Sequence, residues 1–129
     1  MVFLDTVDGV TDSRYVPSSF SVEPRGFGRA ENVHWKTSDD GIERSRIQAS
    51  KLQHLYSVRI RKRMTEKSTS AQQFAALSGI SYDRLLKVLR GDVIMRLEDI
   101  ASADLILGEV SEFAVREAFM QRRSDPRRG

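Results

Sequence analysis

A stretch that begins at Ser70 and ends at Gly91, SAQQFAALSGISYDRLLKVLRG, constrains the fold more than any other part of the chain. Ser70 and Gln73 have the spacing of a capping box, which predicts the start of a helix. Gly79 can take a positive φ that most residues resist, and Ser81 can cap a second helix. Gly91 stands where helices often end in a left-handed residue. The pattern predicts two short helices joined by a tight turn, a helix-turn-helix.

This arrangement resembles the Cro and phage-repressor family of helix-turn-helix proteins, also called the XRE family. The resemblance extends from about residue 55 to about residue 108 and is carried by Phe74, Ala75, Gly79, Ile80, Ser81, Leu85 and Gly91. It implies an all-α fold, a lambda-repressor-like helix-turn-helix bundle of four to five helices with a largely irregular N-terminal extension. One departure is Ala71, where many family members carry a glutamine that contacts a phosphate. The adjacent Gln72 is the candidate to replace it.

Positive charge is concentrated on the helix-turn-helix and just before it. Residues 1–41 carry four basic and seven acidic side chains, whereas residues 44–96 carry twelve basic and three acidic ones, a net charge of +9. Residues 97–121 carry one basic and six acidic side chains, and the tail 122–129 has four arginines and one aspartate. A surface that binds phosphates requires such a local excess of positive charge. Motif and charge together predict double-stranded DNA as the partner.

The composition divides the chain into three parts. Residues 1–41 form an N-terminal extension, irregular or with short strands, because prolines and glycines interrupt any helical period. Residues 42–121 form a helical DNA-binding domain with the helix-turn-helix at 70–91, and residues 122–129 form a basic tail. The extension is rich in aromatic residues, which leaves two interpretations. It is a flexible arm, or it is an arm that orders against its own core, a second subunit or another protein.

Apolar residues at helical spacing predict the remaining helices. After a capping turn that ends at Asp40, the spacing indicates a bundle helix over about 51–65, with a separate helix before it as an option. The apolar side of this region is Ile47, Leu52, Leu55, Tyr56, Val58 and Met64. A fourth helix follows, with an apolar face of Leu97, Ile100, Ala101 and Leu105. A fifth spans about 110–122, in which Phe113 and Phe119 either enter the core, the interpretation we favour, or pack against a twofold mate, as the resemblance implies.

A recognition helix that enters the major groove at its N-terminal end places its early exposed side chains near base edges. The base-reading candidates are Ser81, Tyr82, Asp83, Arg84 and Lys87. The candidates for phosphate contacts are Gln72, Arg59, Arg61, Lys62, Arg63 and Arg90. The turn itself depends on Ala75, Gly79 and Gly91, because a larger side chain at residue 75 would push the two helices apart.

Composition also argues against several kinds of site. The chain has no cysteine and two histidines, which excludes disulfides and cysteine-based zinc sites. We therefore expect no metal site and no cofactor. No glycine-rich phosphate loop, cysteine nucleophile or cluster of histidine and carboxylate residues is present, so we expect no catalytic residues and no enzyme. No apolar run is long enough to cross a bilayer, and we expect no membrane partner.

These observations predict a sequence-specific DNA-binding transcriptional regulator, a repressor acting as a homodimer. We expect it in the cytoplasm, bacterial or phage-encoded and associated with the nucleoid. The alternative is an antitoxin or adaptor protein whose N-terminal arm, residues 1–40, binds a protein partner, with DNA binding secondary.

Overall fold

The computed structural model describes residues 15–124. Within this range the chain is all-helical and has no β-strand, which confirms the prediction of a small all-α bundle. Two short 3₁₀ helices, Pro17–Phe20 and Pro24–Gly26, precede five α-helices. These are α1 (Gly41–Glu66), α2 (Ala71–Ser78), α3 (Tyr82–Arg90), α4 (Leu97–Ile106) and α5 (Glu112–Ser124).

One continuous helix of 26 residues, α1, occupies the region in which a separate preceding helix was an option. Its N-terminus is capped by Asp40, whose side chain accepts a hydrogen bond from the Glu43 amide at 2.9 Å. No proline or glycine occurs between Ile42 and Glu66, so nothing in the sequence forces a break. The two-helix option is therefore wrong.

The buried side of α1 also differs from the apolar side that the sequence predicts. Leu52 and Leu55 are exposed, and the buried positions are Ile47, Ser50, Gln53, His54, Ser57, Ile60 and Met64. Most of the N-terminal part of this buried face is small or polar. The N-terminal extension covers this part of α1. Small side chains on α1 allow the backbone of the extension to approach closely.

Residues 15–36, here called the N-terminal strap, lie on α1. The Tyr15 hydroxyl donates a hydrogen bond to the carbonyl of Arg46 at 3.1 Å and lies 2.8 Å from Ser50 Oγ. Farther along, an antiparallel bridge pairs Ser21 with Trp35, and no longer strand forms in the strap. The described part of the extension is therefore ordered against its own core. Residues 1–14 of the extension, which belong to the proposed protein-binding arm, lie outside the described residues.

The main core joins α1, α2, α3 and α4. Its buried members are Ile60, Met64, Phe74, Ala75, Leu85, Leu89, Ala103, Leu107 and Val110. From the α4 region, Ala103 and Leu107 reach this core, four residues apart on one side. The apolar face predicted for α4 points away from it instead, and Leu97 and Leu105 are 84% and 87% exposed. The predicted apolar face exists on the helix, but the core covers a different side.

The first helical residues of α5 do not enter the core either. Phe113 is 69% exposed and Phe119 is 50% exposed, so the interpretation of both as core side chains is wrong. A hydrogen-bonded junction holds the start of α5 instead, where Asp104 accepts the amides of Val110 and Ser111 at 2.8 Å each. The attachment of α5 thus rests on its N-terminal end.

Candidate nucleic-acid interface

Helices α2 and α3 form the predicted pair, and hydrogen bonds define both of their starts. Ser70 Oγ accepts from the Gln73 amide at 3.0 Å while Gln73 Oε1 accepts from the Ser70 amide at 2.8 Å, which confirms the capping box. Gly79 ends α2 at φ +79°, in the left-handed conformation. The Ala75 carbonyl accepts from the amides of Gly79 and Ile80, and the Ala75 side chain is buried between the helices.

The second helix of the pair divides into a buried and an exposed face. Leu85, Val88 and Leu89 are buried. Ser81 caps the helix through a hydrogen bond from the Arg84 amide at 3.0 Å. The exposed face carries Ser81, Tyr82, Asp83 and Lys87, so four of the five base-reading candidates share one accessible surface. Lys87 Nζ lies 3.1 Å from Asp83 Oδ2, an ion pair between exposed side chains that is easily exchanged for another partner.

The fifth base-reading candidate, Arg84, turns toward α4. Its Nη2 donates to Asp99 Oδ2 at 2.8 Å, and both side chains are largely buried. Asp99 Oδ2 also accepts from the Arg96 amide at 2.7 Å, at the start of α4. Arg84 therefore connects α3 to the start of α4. We revise its role from base reading to structure.

The six candidates for phosphate contacts separate in a similar way. Gln72 and Lys62 are exposed. Arg59 donates to the Val110 carbonyl at 3.0 Å and pairs with Glu112 at 2.6 Å. The Arg59 hydrogen bond lowers the pKa of the Glu112 carboxyl. Arg59 therefore joins α1 to α5, and we revise its role to structure.

Arg63 has a similar structural role one turn later on α1. Its Nε donates to the Gly108 carbonyl at 2.8 Å and its Nη2 to the Leu107 carbonyl at 3.3 Å. A helix leaves its last carbonyls without partners, and a guanidinium is a favourable partner for them. Arg63 thus satisfies the carbonyls that directly follow α4, and its contact with a phosphate stays a prediction.

The last two phosphate candidates, Arg61 on α1 and Arg90 at the end of α3, lie beside the N-terminal strap. Arg90 is exposed and pairs with Asp92 at 3.0 Å. Burial lowers the pKa of Arg61, and the positive charges of Arg29 and Arg90 lower it further. Arg29 was not among the sequence candidates.

The buried side chain of Gln53, on α1, supports the C-terminal end of α3. The sequence analysis did not select this residue. Its Nε2 donates to the carbonyls of Val88 and Val93 at 2.9 Å each, and its Oε1 accepts from the Met95 amide at 2.9 Å. Three backbone groups in and just after the last turn of α3 are thereby joined to α1. The sequence does contain a pattern that could have identified Gln53, because small and polar residues recur at helical spacing on α1. This pattern indicates a buried face only if such side chains are accepted as core residues.

Other classes of site find no support in the part of the chain that the structure describes. Across residues 15–124, no group of three or more histidine and carboxylate side chains is arranged to hold a metal ion. Over the same range, no helix combines the length and apolar character that crossing a membrane requires.

No protein-family model, curated protein or solved structure matches the chain.

Proposed function

We propose that this protein is a sequence-specific DNA-binding regulator that inserts α3 into the major groove. The observation that carries the proposal is the division of α3, in which the apolar side is buried while Tyr82 and Asp83 remain accessible at its N-terminal end and Lys87 one turn farther on. Hydrogen-bonding side chains at such positions can meet base edges, and lysine donates to guanine O6 and N7. The net charge of +9 over residues 44–96 supplies attraction to phosphates.

In this proposal the regulator acts as a homodimer. A dimer with twofold symmetry can place one recognition helix in each half-site of a palindromic operator. Support comes from a groove of about 590 Å³ lined by apolar side chains of α1, α4 and α5, including Leu52, Leu97 and Phe113. Exposed apolar surface of this kind favours contact with another protein surface. A second copy would bring two recognition helices to half-sites about 10–10.5 base pairs apart. This assignment also locates the protein in the cytoplasm, on the nucleoid, and gives it no catalytic role.

The alternative of an antitoxin or adaptor depends on residues 1–40 being available to a partner. In the described strap, Phe27 is buried and Trp35 packs against it, with ring centroids 6.2 Å apart. These aromatic side chains are used within the chain. The strap therefore supports this alternative less well than it supports a role in holding the DNA-binding domain together.

A binding selection from random duplex DNA, performed at two salt concentrations, tests the proposed function. We expect an enriched palindrome whose affinity falls as salt rises. Lys87→Ala should lower affinity for that sequence and relax the preference at one base pair, at a cost of about 1–3 kcal/mol. Glu117→Ala, on α5, is the control and should leave the preference unchanged. Selection without any enriched sequence would contradict the proposal.

A further inference from the structure

The N-terminal strap makes its closest approach to the helix-turn-helix at Gly28. A Cβ atom at this position would lie 2.2 Å from the carbonyl oxygen of Leu89 and 3.0 Å from the Cβ of Ser57. Gly28 also donates its amide to His54 Nδ1 at 2.8 Å. The backbone of the strap is therefore wedged between α1 and the C-terminal end of α3, where only glycine fits.

This wedge brings three arginines from three distant parts of the sequence to one place. Arg29 follows Gly28 in the strap, Arg90 follows Leu89 at the end of α3, and Arg61 lies one helical turn beyond Ser57 on α1. Burial lowers the pKa of Arg61 most, and the positive charges of Arg29 and Arg90 lower it further. Arg29 and Arg90 are exposed, so the cluster opens to solvent.

Two of the three guanidinium nitrogens of Arg61 are buried without a hydrogen-bond partner among the described residues. Its Nε and Nη2 atoms are buried and make no hydrogen bond to any part of the chain that the structure describes. An unpaired buried donor is unfavourable, and more so when it carries charge. The positive charges of Arg29 and Arg90 add to this cost, and Asp92 offsets part of the charge of Arg90. An anion would satisfy the donors and neutralise the repulsion at once.

We propose that Arg29, Arg61 and Arg90 form a phosphate-binding site between the strap, α1 and the end of the recognition helix. Three guanidinium groups from three segments of the chain suit a phosphate, which offers several acceptor oxygens and matches their paired donors. The phosphate belongs either to the DNA backbone, in which case the site rests on the proposed function, or to a free phosphate ion.

The first experiment measures thermal unfolding of the full chain in sodium phosphate and in sodium chloride of equal ionic strength at pH 7. For a dissociation constant in the low millimolar range, 50 mM phosphate should raise the Tm by about 3–6 °C. Phosphate also stabilises proteins generally, so variants provide the comparison. Arg61→Met should lose the specific gain, whereas Arg25→Gln, an exposed arginine of the same strap, should keep it.

Arg61→Met also separates a ligand site from a purely structural arginine. In chloride the variant should melt at or above the temperature of the original chain, because it removes a buried charge without a partner. In phosphate the order should reverse. Equal gains in the original chain, Arg61→Met and Arg25→Gln would overturn the proposal, as would a large loss of stability of Arg61→Met in chloride with the phosphate gain retained.

The second experiment identifies the source of the phosphate from the salt dependence of duplex binding. If the site holds a backbone phosphate, Arg29→Gln and Arg61→Met should each reduce the slope of log affinity against log salt by about one, and Arg25→Gln should not. Unchanged slopes together with the phosphate-specific gain in Tm assign the site to free phosphate. If the original chain bound no DNA but kept that gain, the proposed function would fail and the phosphate site would stand.

Discussion

The ring of Phe27 lies directly against Gly91, so that a methyl group at residue 91 would come within 2.7 Å of two ring carbons. Gly91 ends α3 at φ +78°. Its carbonyl also accepts the Ser18 amide at 2.9 Å. Gly91 therefore ends α3 and also contacts the N-terminal strap. These contacts couple the position of α3 to a segment more than sixty residues earlier in the chain.

Two glycine substitutions can separate the turn from the contact with Phe27. Gly79 has nearly the same conformation, φ +79°, but an added methyl group there would meet nothing within 4 Å. Gly79→Ala should lower the free energy of unfolding by about 1–2 kcal/mol, the cost of the left-handed conformation. Gly91→Ala should cost about 2–5 kcal/mol, because overpacking against Phe27 is added. Urea unfolding measures both, and equal losses would contradict the contact.

The basic residues at the end of α1 should separate in the same way. Arg63→Met should lower the free energy of unfolding by about 1–3 kcal/mol, because the carbonyls of Leu107 and Gly108 lose their donors. Lys62→Met, at an exposed neighbouring position, should change it by no more than about 0.5 kcal/mol.

In DNA binding we expect the opposite ranking, in which Lys62→Met has the larger effect and Arg63→Met the smaller one. Lys62→Met should reduce the salt slope by about 0.9 if Lys62 contacts a phosphate, and Arg63→Met should leave the slope unchanged at a temperature where the variant is folded. Denaturant titration and binding at several salt concentrations provide the two readouts. A stable Arg63→Met with a reduced slope would restore Arg63 as a phosphate contact.

Local chemistry made the helix-turn-helix predictable. Ser70, Gln73 and Gly79 form hydrogen bonds with groups only a few residues away in the chain. Their spacing in the sequence is therefore enough to predict where the helices begin and end. The partners of Arg59 and Arg63 could not be inferred in this way, because they are carbonyl groups 44 to 51 residues farther along the chain. A run of basic residues has the same pattern whether it caps another helix or faces a phosphate.

Helical periodicity had a related limit at α4 and α5. It identified an apolar stripe that contains Leu97 and Leu105, but it cannot tell which of two faces the core will cover. Ala103 and Leu107 form the narrower face that is buried. On α1 the apolar pattern missed residues that are buried, because His54 and Ser57 are polar. The Arg29 member of the proposed phosphate site was unpredictable because its position depends on how the strap folds.

His54 should make stability depend on pH. Its Nδ1 accepts the Gly28 amide, so the ring must be neutral with its hydrogen on Nε2, and protonation of Nδ1 would break that bond. Burial lowers the His54 pKa below the ordinary value of 6.5, while the backbone at Ala30 acts in the opposite direction. The unfolded chain therefore takes up a proton first as the pH falls.

The sign of the effect follows from that order. The contribution of His54 to stability is complete above about pH 7, declines as the pH falls through 6.5, and levels off below the lowered pKa of the folded state. Free energies of unfolding at pH 7.5, 6.5 and 5.5 should show this decline. His54→Gln should remove that part of the decline, and His34→Gln, at an exposed histidine, should not. An identical decline in all three proteins would assign the pH dependence to other groups.

The exposed apolar groove leads to the last prediction, which concerns association. Leu97 and Phe113 line the same groove although both are mostly exposed in a single chain. If a second copy covers it, burying one such leucine contributes about 1.5–3 kcal/mol to the dimer. Because a homodimer would bury this leucine from both copies, Leu97→Glu should raise the dimer dissociation constant by roughly 100- to 10,000-fold, with little effect on the folding of the monomer.

Ile42→Glu is the matched control for this change, because Ile42 is 66% exposed at the far end of α1 and lies outside the groove. Sedimentation equilibrium over a range of protein concentrations should show weaker association for Leu97→Glu alone. The same variant should lose preference for a two-half-site operator while it retains binding to a single half-site, because the recognition helix is untouched. Equal association of both variants and the original chain would exclude this groove as the dimer interface.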